Sequence, residues 1–218
     1  DGELISATVF GKLIQNPINS IFINSTSNDI SYINTGEQAE VFGLELELKK
    51  NLYRFNQNND DFDHKITGGL NLSFIKTNQD LDAQKVANET EYSANFTFDS
   101  SKLTGASDLL LNADISYLKE FDEFKSIQGT ITYNYFSDQL NTIGTLNKGN
   151  VIDKSYGTLD CIIKGTIKEF SFGLSAKNIL NPVISRIQEV YNTPDVQEVV
   201  LDEFIRGVNL SLSVGYKF

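Results

Sequence analysis

The strongest constraint on this chain is an alternation of apolar and polar residues with period two. It is clearest in the last eleven residues, Val208–Phe218. Apolar side chains occupy positions 208, 210, 212, 214, 216 and 218, and Asn, Ser, Ser, Gly and Lys fill the gaps. Strict period two describes a β-strand with one apolar and one polar face. This one stops on an aromatic residue.

Six further runs alternate as cleanly: Phe42–Lys49, Ile66–Phe74, Leu109–Tyr117, Ile127–Tyr135, Asp160–Ile167 and Phe170–Lys177. An earlier run near residues 4–14 is less regular. Ile5, Ala7, Val9 and Leu13 make its apolar phase, and Phe10 falls on the other side. Together these make eight strands. Sandwich strands usually span about 5–6 residues, whereas crossing a bilayer takes about 9–11. Several of these runs reach the longer figure, so the pattern predicts an all-β fold of antiparallel up-and-down transmembrane β-barrel strands. A soluble β-sandwich also alternates and is the competing reading.

The connections support the barrel. Those after the first, third, fifth and seventh strands are long. Glu120–Glu123 and Lys168-Glu169 are short, and Tyr53–Asp63 is longer than a tight turn requires. Long loops on one side and short turns on the other describe an outer-membrane barrel with periplasmic turns. The C-terminus is then periplasmic. Aromatic residues on the apolar face should collect near both lipid boundaries. Tyr117, Phe170, Tyr216 and Phe218 fall at the periplasmic rim, Phe74 and Tyr135 towards the outer one. The only place suggesting a helix is a short stretch around Asp80–Glu91.

Composition narrows the function. With 18 Lys+Arg against 29 Asp+Glu the net charge is −11, which argues against a nucleic-acid partner, since that needs clustered basic residues. No apolar run approaches the ~20 residues of a spanning helix. The single cysteine, Cys161, excludes an internal disulfide. The chain has no methionine and no signal peptide, so a processed product or a piece of a longer protein is expected.

Several local patterns resemble the C-terminal barrel region of TonB-dependent outer-membrane receptors. They are Asn34-Thr35-Gly36-Glu37-Gln38-Ala39 continuing to Gly43-Leu44-Glu45-Leu46-Glu47; Leu103-Thr104-Gly105-Ala106-Ser107 with Leu111-Asn112 and Tyr117; Thr132–Asp138; Lys177-Asn178-Ile179-Leu180-Asn181-Pro182; and Gly215-Tyr216-Lys217-Phe218. They follow the family's order and cover nearly the whole chain. The resemblance implies that residues 1–218 are the C-terminal part of the barrel domain, the final strands of a barrel of about 22, with the plug and N-terminal strands absent. It also implies import of a nutrient such as an iron chelate, cobalamin or an oligosaccharide. The implied partners are outer-membrane lipid and lipopolysaccharide, the barrel-assembly machinery during biogenesis, and TonB through an absent N-terminal region. Val214, Tyr216 and Phe218 resemble the terminal signal by which barrels are recognised for assembly.

The polar phase supplies candidate lumen-facing residues: Glu45, Glu47, Asn71, Asn112, Asp114 and Lys177. Its other members are mostly small and neutral, such as Ser73, Thr130 and Ser211, which suits a wide lumen against a plug better than a packed bore.

Enzyme chemistry finds no support. His64 is the only histidine, placed at a turn-to-strand junction, and no G-x-S-x-G elbow accompanies it. No P-loop or dinucleotide fingerprint occurs. No catalytic, cofactor or metal site is expected, since the acidic cluster Asp60, Asp61 and Asp63 lacks EF-hand spacing. Acidic loops at Asp80–Glu91 and Gln188–Glu203 read as solvated, with bridging to lipopolysaccharide or contact with substrate as the functional alternative. The sequons at Asn24 and Asn88 carry no weight for a bacterial outer-membrane protein. A bacterial outer-membrane receptor is the first reading. A complete eight-stranded barrel with a structural or adhesive role is the second, a soluble sandwich the third, and an enzyme the last.

Overall fold

The computed structural model describes residues 2–25, 27, 29–56, 63–145, 148–191 and 196–218. In chain order the elements begin with β1 (Leu4–Gln15), β2 (Ile18–Phe22), β3 (Ile30–Asn34), β4 (Gln38–Asn56), β5 (Asp63–Asp80) and α1 (Ala83–Glu89). There follow β6 (Ser100–Ser101), β7 (Leu109–Asp122), β8 (Lys125–Phe136), β9 (Gln139–Thr142) and β10 (Val151–Asp153). The last are β11 (Tyr156–Ile167), β12 (Phe170–Lys177), β13 (Ile184–Val190), β14 (Gln197–Phe204) and β15 (Asn209–Tyr216).

The eight alternating runs are the eight strands of one antiparallel sheet, in the order β1-β4-β5-β7-β8-β11-β12-β15, with β6 attached to β5. Each neighbours the next alternating run in the chain, so the up-and-down order is as expected. Register aligns the apolar phases into continuous rows. One row is Ile115, Ile131, Cys161, Ala176 and Leu210; the next is Tyr117, Gly129, Ile163, Leu174 and Leu212. A slip of one residue would turn a strand's apolar set to the other face, and no such slip occurs along these rows.

No layer covers the apolar face. Val9 is 81% exposed, Leu210 71% and Leu212 77%. A sandwich would bury these residues against a second sheet about 10 Å away, so the sandwich reading fails. The sheet is also not closed: β1 and β15 each have a neighbour on one side only.

The buried core lies elsewhere. Ile21, Ile33, Val86, Ala94, Leu140 and Ile143 form it, with Ile23, Leu81 and Phe96 packed around them. These residues come from the long connections, which gather into a folded layer at one end of the sheet. The connection after β1 holds the β2–β3 hairpin, that after β5 holds α1 and β6, that after β8 holds β9 and β10, and that after β12 holds β13 and β14. Backbone bonds stitch them together. Phe22 N–H donates to the Ile143 carbonyl at 3.1 Å, Ile143 N–H to the Ser20 carbonyl at 2.9 Å, and Asn24 N–H to the Ser93 carbonyl at 2.9 Å. Strands β14, β13, β10 and β9 form a four-stranded sheet of their own.

Two sequence expectations need correction. Tyr53–Asp63 is not a long connection: β4 continues to Asn56 and β5 starts at Asp63, with Phe55 paired to His64. A bulge between Asn51 and Tyr53 interrupts the alternation there, which hides the continuing strand from a period-two reading. At about 3.4 Å per residue, the 19-residue β4 is roughly 60 Å long, so it projects well beyond a hydrocarbon core of about 30 Å. The acidic stretches are not simple solvated loops either. Gln188–Glu203 contributes to the β13–β14 hairpin. In Asp80–Glu91, Asp82 caps the expected short helix, its Oδ1 accepting from the Gln84 and Lys85 N–H groups at 2.8 and 3.0 Å.

Candidate functional site

Two surfaces carry the chemistry: the polar face of the eight-stranded sheet, and the layer of connections at its end.

On the polar face the side chains form cross-strand ladders. Glu45 stands opposite Ser73, and Glu47 opposite Asn71. Asn71 stands opposite Asn112, and Asn112 opposite Asn134. Asn134 Nδ2 donates to Thr158 Oγ1 at 3.3 Å. Ser116 and Thr130 share a hydrogen bond at 2.8 Å, and Ser175 and Ser211 one at 2.7 Å. Asp114 lies over Gly69, its cross-strand neighbour, filling the space a side chain would take there. Lys177 pairs with Asn209 at the end of the β12–β15 ladder. Such pairs satisfy small polar groups within the sheet.

Aromatic side chains gather at the end of the sheet that carries the short turns. The Phe170 and Tyr216 ring centroids lie 4.9 Å apart, and those of Tyr216 and Phe218 5.2 Å apart, edge to face. Tyr117 sits further along the rim, its hydroxyl 2.7 Å from His64 Nδ1. His64 therefore has a partner in the aromatic rim rather than a free place in a turn. Lys168, with φ 53°, makes the two-residue β11–β12 turn at this end. Cys161 is a free thiol on the apolar phase. Among the described residues no cluster of His, Cys, Asp or Glu could hold a metal ion. Asp60 and Asp61 lie outside the described residues.

The connection layer is anchored by a buried amide network that sequence reading missed. Asn19 Nδ2 donates to Thr35 Oγ1 at 2.8 Å and to Gln79 Oε1 at 2.7 Å. Gln79 Nε2 donates back to Asn19 Oδ1 at 3.1 Å and to the Lys102 carbonyl at 2.8 Å. Asn19 Oδ1 also accepts from the Thr104 N–H at 3.1 Å. One network thus joins β2, the residue that follows β3, β5 and the segment before β7. Nothing in the sequence marks Asn19 or Gln79, because their partners are distant in the chain.

Beside this network is a cavity of about 330 Å³ whose lining includes Phe98, Lys102, Gln139, Asn150 and Tyr191. Phe98 and Tyr191 meet edge to face at 5.9 Å. Burial and the neighbouring Glu189 carboxylate push the Tyr191 phenol above its ordinary range. Charges around the cavity are paired: Lys102 with Asp108, and Lys154 with Asp138 at 2.8 Å. Burial raises the Asp138 carboxyl, but the Lys154 ammonium and the Ser155 N–H outweigh it and hold the group below the usual carboxylate range.

Four of the quoted sequence patterns reach the border between the sheet and this layer, and the fifth, Gly215–Phe218, lies at the other end beside the β11–β12 turn. Gly36 is one example: a Cβ there would stand 2.1 Å from the Asp80 carbonyl oxygen, so only glycine allows the two backbones to approach. The Leu103–Ser107 and Thr132–Asp138 patterns meet where Ser107 Oγ donates to the Ser137 carbonyl at 3.3 Å, and the chain just after the first pattern continues the contact. Leu109 N–H donates to Ser137 Oγ at 3.0 Å, and Ser137 N–H to the Leu109 carbonyl at 3.0 Å. In the fourth pattern Asn178 and Asn181 adopt φ 57° and 44°. Asn178 Nδ2 donates to the Gly207 carbonyl at 2.8 Å, and Asn181 Oδ1 accepts from the Gly207 N–H at 2.9 Å.

Comparison with known proteins agrees with this architecture. The family model described as TonB dependent receptor-like, beta-barrel, matches residues 1–179. That span covers β1 to β12, and β15 extends the same sheet beyond it. No curated protein and no solved structure matches the chain. Proteins of this family are outer-membrane transporters rather than enzymes, and TonB is their partner. With most of its length matched and its strands in barrel order, the chain belongs to the TonB-dependent receptor-like β-barrel family.

Proposed function

We propose that residues 1–218 form the C-terminal part of a larger receptor barrel that imports a nutrient such as an iron chelate, cobalamin or an oligosaccharide across the outer membrane. The observation that carries this reading is the open sheet, whose edge strands β1 and β15 each lack a second neighbour. In hydrocarbon every unpaired N–H and C=O of an edge costs several kcal/mol, so both edges call for further strands. The polar face then lines a wide lumen, with Glu45, Glu47, Asn71, Asn112, Asp114 and Lys177 turned towards a plug. The connection layer forms part of the outer mouth. Tyr117, Phe170, Tyr216 and Phe218 form the periplasmic girdle, with the C-terminus on that side. The terminal strand, through Val214, Tyr216 and Phe218, presents the signal for the barrel-assembly machinery.

The intact source protein tests this. A mature chain several times heavier than 24.4 kDa, carrying an N-terminal plug and needing detergent to stay dispersed, is expected. A mature 24.4 kDa chain running as a monomer in detergent would replace the reading with a complete eight-stranded barrel, since eight strands can close.

A further inference from the structure

The apolar face is not evenly convex. Near the end that carries the short β7–β8 and β11–β12 turns it dips into a crevice of about 380 Å³. Gly165 forms its floor, and Phe121, Ile127, Ile163, Ile167, Phe172 and Leu174 stand around it. The floor is glycine for no backbone reason. A Cβ at Gly165 would meet nothing nearer than the Ser126 carbonyl oxygen at 3.6 Å, and one at Gly129 would meet nothing within 4 Å. Register sets Gly165 opposite Ile127 and Gly129 opposite Ile163, so two missing side chains lie diagonally on the same face. The depression is room left open, not a steric demand.

Its rim towards the turns is basic. Lys119 Nζ lies 4.5 Å from the centroid of the Phe121 ring and Lys125 Nζ 4.9 Å from it. Two ammonium groups thus flank the ring that walls the crevice, and Lys125 also lines it. Among the described residues neither has an ion-pair partner. Of the acids of the same turn, Glu120 pairs with Ser126 on the opposite phase, while Asp122, past a bulge at Phe121, stands opposite Lys125 with its Oδ1 accepting from the Phe124 N–H at 2.8 Å.

An apolar trough ending in two ammonium groups, on a face that meets lipid, matches one chemistry. We infer that this crevice seats an acyl chain of an anionic glycerophospholipid, with its phosphate held between Lys119 and Lys125. The inference rests on the outer-membrane reading and adds to it a discrete lipid site. The chain would fill the crevice and gain van der Waals contact with its walls; neighbouring lipid tails are equally apolar, so selection rests on fit and on the phosphate. The phosphate would draw the lysines off the ring face towards a full charge. A zwitterionic headgroup gains less, because its own cation opposes the lysines.

The test uses the full-length receptor in detergent, read by native mass spectrometry during titration with dioleoyl phosphatidylglycerol, dioleoyl phosphatidylcholine or lipid A. One phosphatidylglycerol is expected to stay bound where phosphatidylcholine does not. Lys119→Gln with Lys125→Gln should weaken it roughly thirtyfold, the loss expected for two basic groups facing anionic lipid. Gly165→Leu, which fills the floor with its Cβ at an ordinary 3.6 Å contact with the Ser126 carbonyl, should abolish retention, while Ala113→Leu on the same face outside the crevice should leave it intact. Each variant is first checked for the heat-dependent gel shift of a folded barrel. Equal retention of the two phospholipids, indifference to Gly165→Leu, preference for lipid A, or a dimer that excludes lipid would each overturn the inference. If the receptor stays folded and soluble without detergent, the outer-membrane reading itself fails, which is a separate result.

Discussion

Phe10 lays its ring over Gly43, its cross-strand partner in β4, so closely that a Cβ on residue 43 would stand 2.2 Å from the ring Cζ. This is how β1 tolerates an aromatic residue in its polar phase. Gly43 leaves a socket, the ring fills it, and Lys12 Nζ caps the ring at 5.0 Å. Gly43→Val should expel the ring and cost about 1–3 kcal/mol, the usual range for overpacking. Gly11→Ala should be mild, since its Cβ meets the Phe42 ring at an ordinary 3.5 Å. Urea titration of the full-length protein in detergent would compare them. Equal midpoints would mean that the socket does not hold the strand.

The amide pair Asn19–Gln79 should be the most sensitive point of the connection layer. Both residues are 1% exposed. Gln79→Leu removes partners from Asn19 and from the Lys102 carbonyl, and each buried group left unsatisfied costs about 1–3 kcal/mol. Limited proteolysis should then cut the layer while the eight-stranded sheet survives. Uniform protection as in the wild type would refute this.

Acid should loosen the same layer through Asp138. Its carboxyl titrates below the ordinary range in the folded protein, so its contribution is complete above about pH 4 and disappears as pH falls through the depressed value. Lys154 behaves in mirror image. The Asp138 carboxylate bonded to it outweighs its desolvation and holds its ammonium above the ordinary range. Its contribution is therefore complete below about pH 10 and fades as pH rises through the raised value. Protease resistance of β9–β10 and β13–β14 followed across pH should show both limbs. Asp138→Asn should flatten the acid limb, and an unchanged acid limb would count against the pair.

Neighbouring residues of β15 test which face meets lipid. Leu212, opposite Leu174, belongs to the exposed apolar face, and Ser211, bonded to Ser175, to the polar one. Leu212→Arg should cost about 2–4 kcal/mol at mid-membrane, and Ser211→Arg should be far milder. Similar losses of assembled protein from both would mean that the polar face is not a lumen.

Period two made the eight main strands readable because each has one uniform face over the run that alternates. In Phe42–Lys49, Leu44, Leu46 and Leu48 stand opposite Phe74, Leu72 and Leu70, and in Ile127–Tyr135, Ile131, Tyr133 and Tyr135 stand opposite Ile115, Ala113 and Leu111. The strands of the connection layer were not readable that way. In β2, Ile18 is exposed while Asn19 and Ser20 are buried, because its neighbours are other loops and not a uniform medium. The same holds for Gln79 at the end of β5, whose burial is decided by Asn19 sixty residues away. The β4 bulge hid the strand's continuation past Asn51 for a local reason: one extra residue reverses the phase.

The grip of Asn178 and Asn181 on Gly207 has a bearing on how such a barrel changes over evolutionary time. Those bonds close the base of the excursion that carries β13 and β14, immediately before the last strand begins. The strand's starting point is fixed by three residues at the neck and not by the content of the loop above them. Insertions, deletions or wholesale replacement between residues 182 and 206 can therefore vary this end of the molecule without shifting the register of β15 against β12.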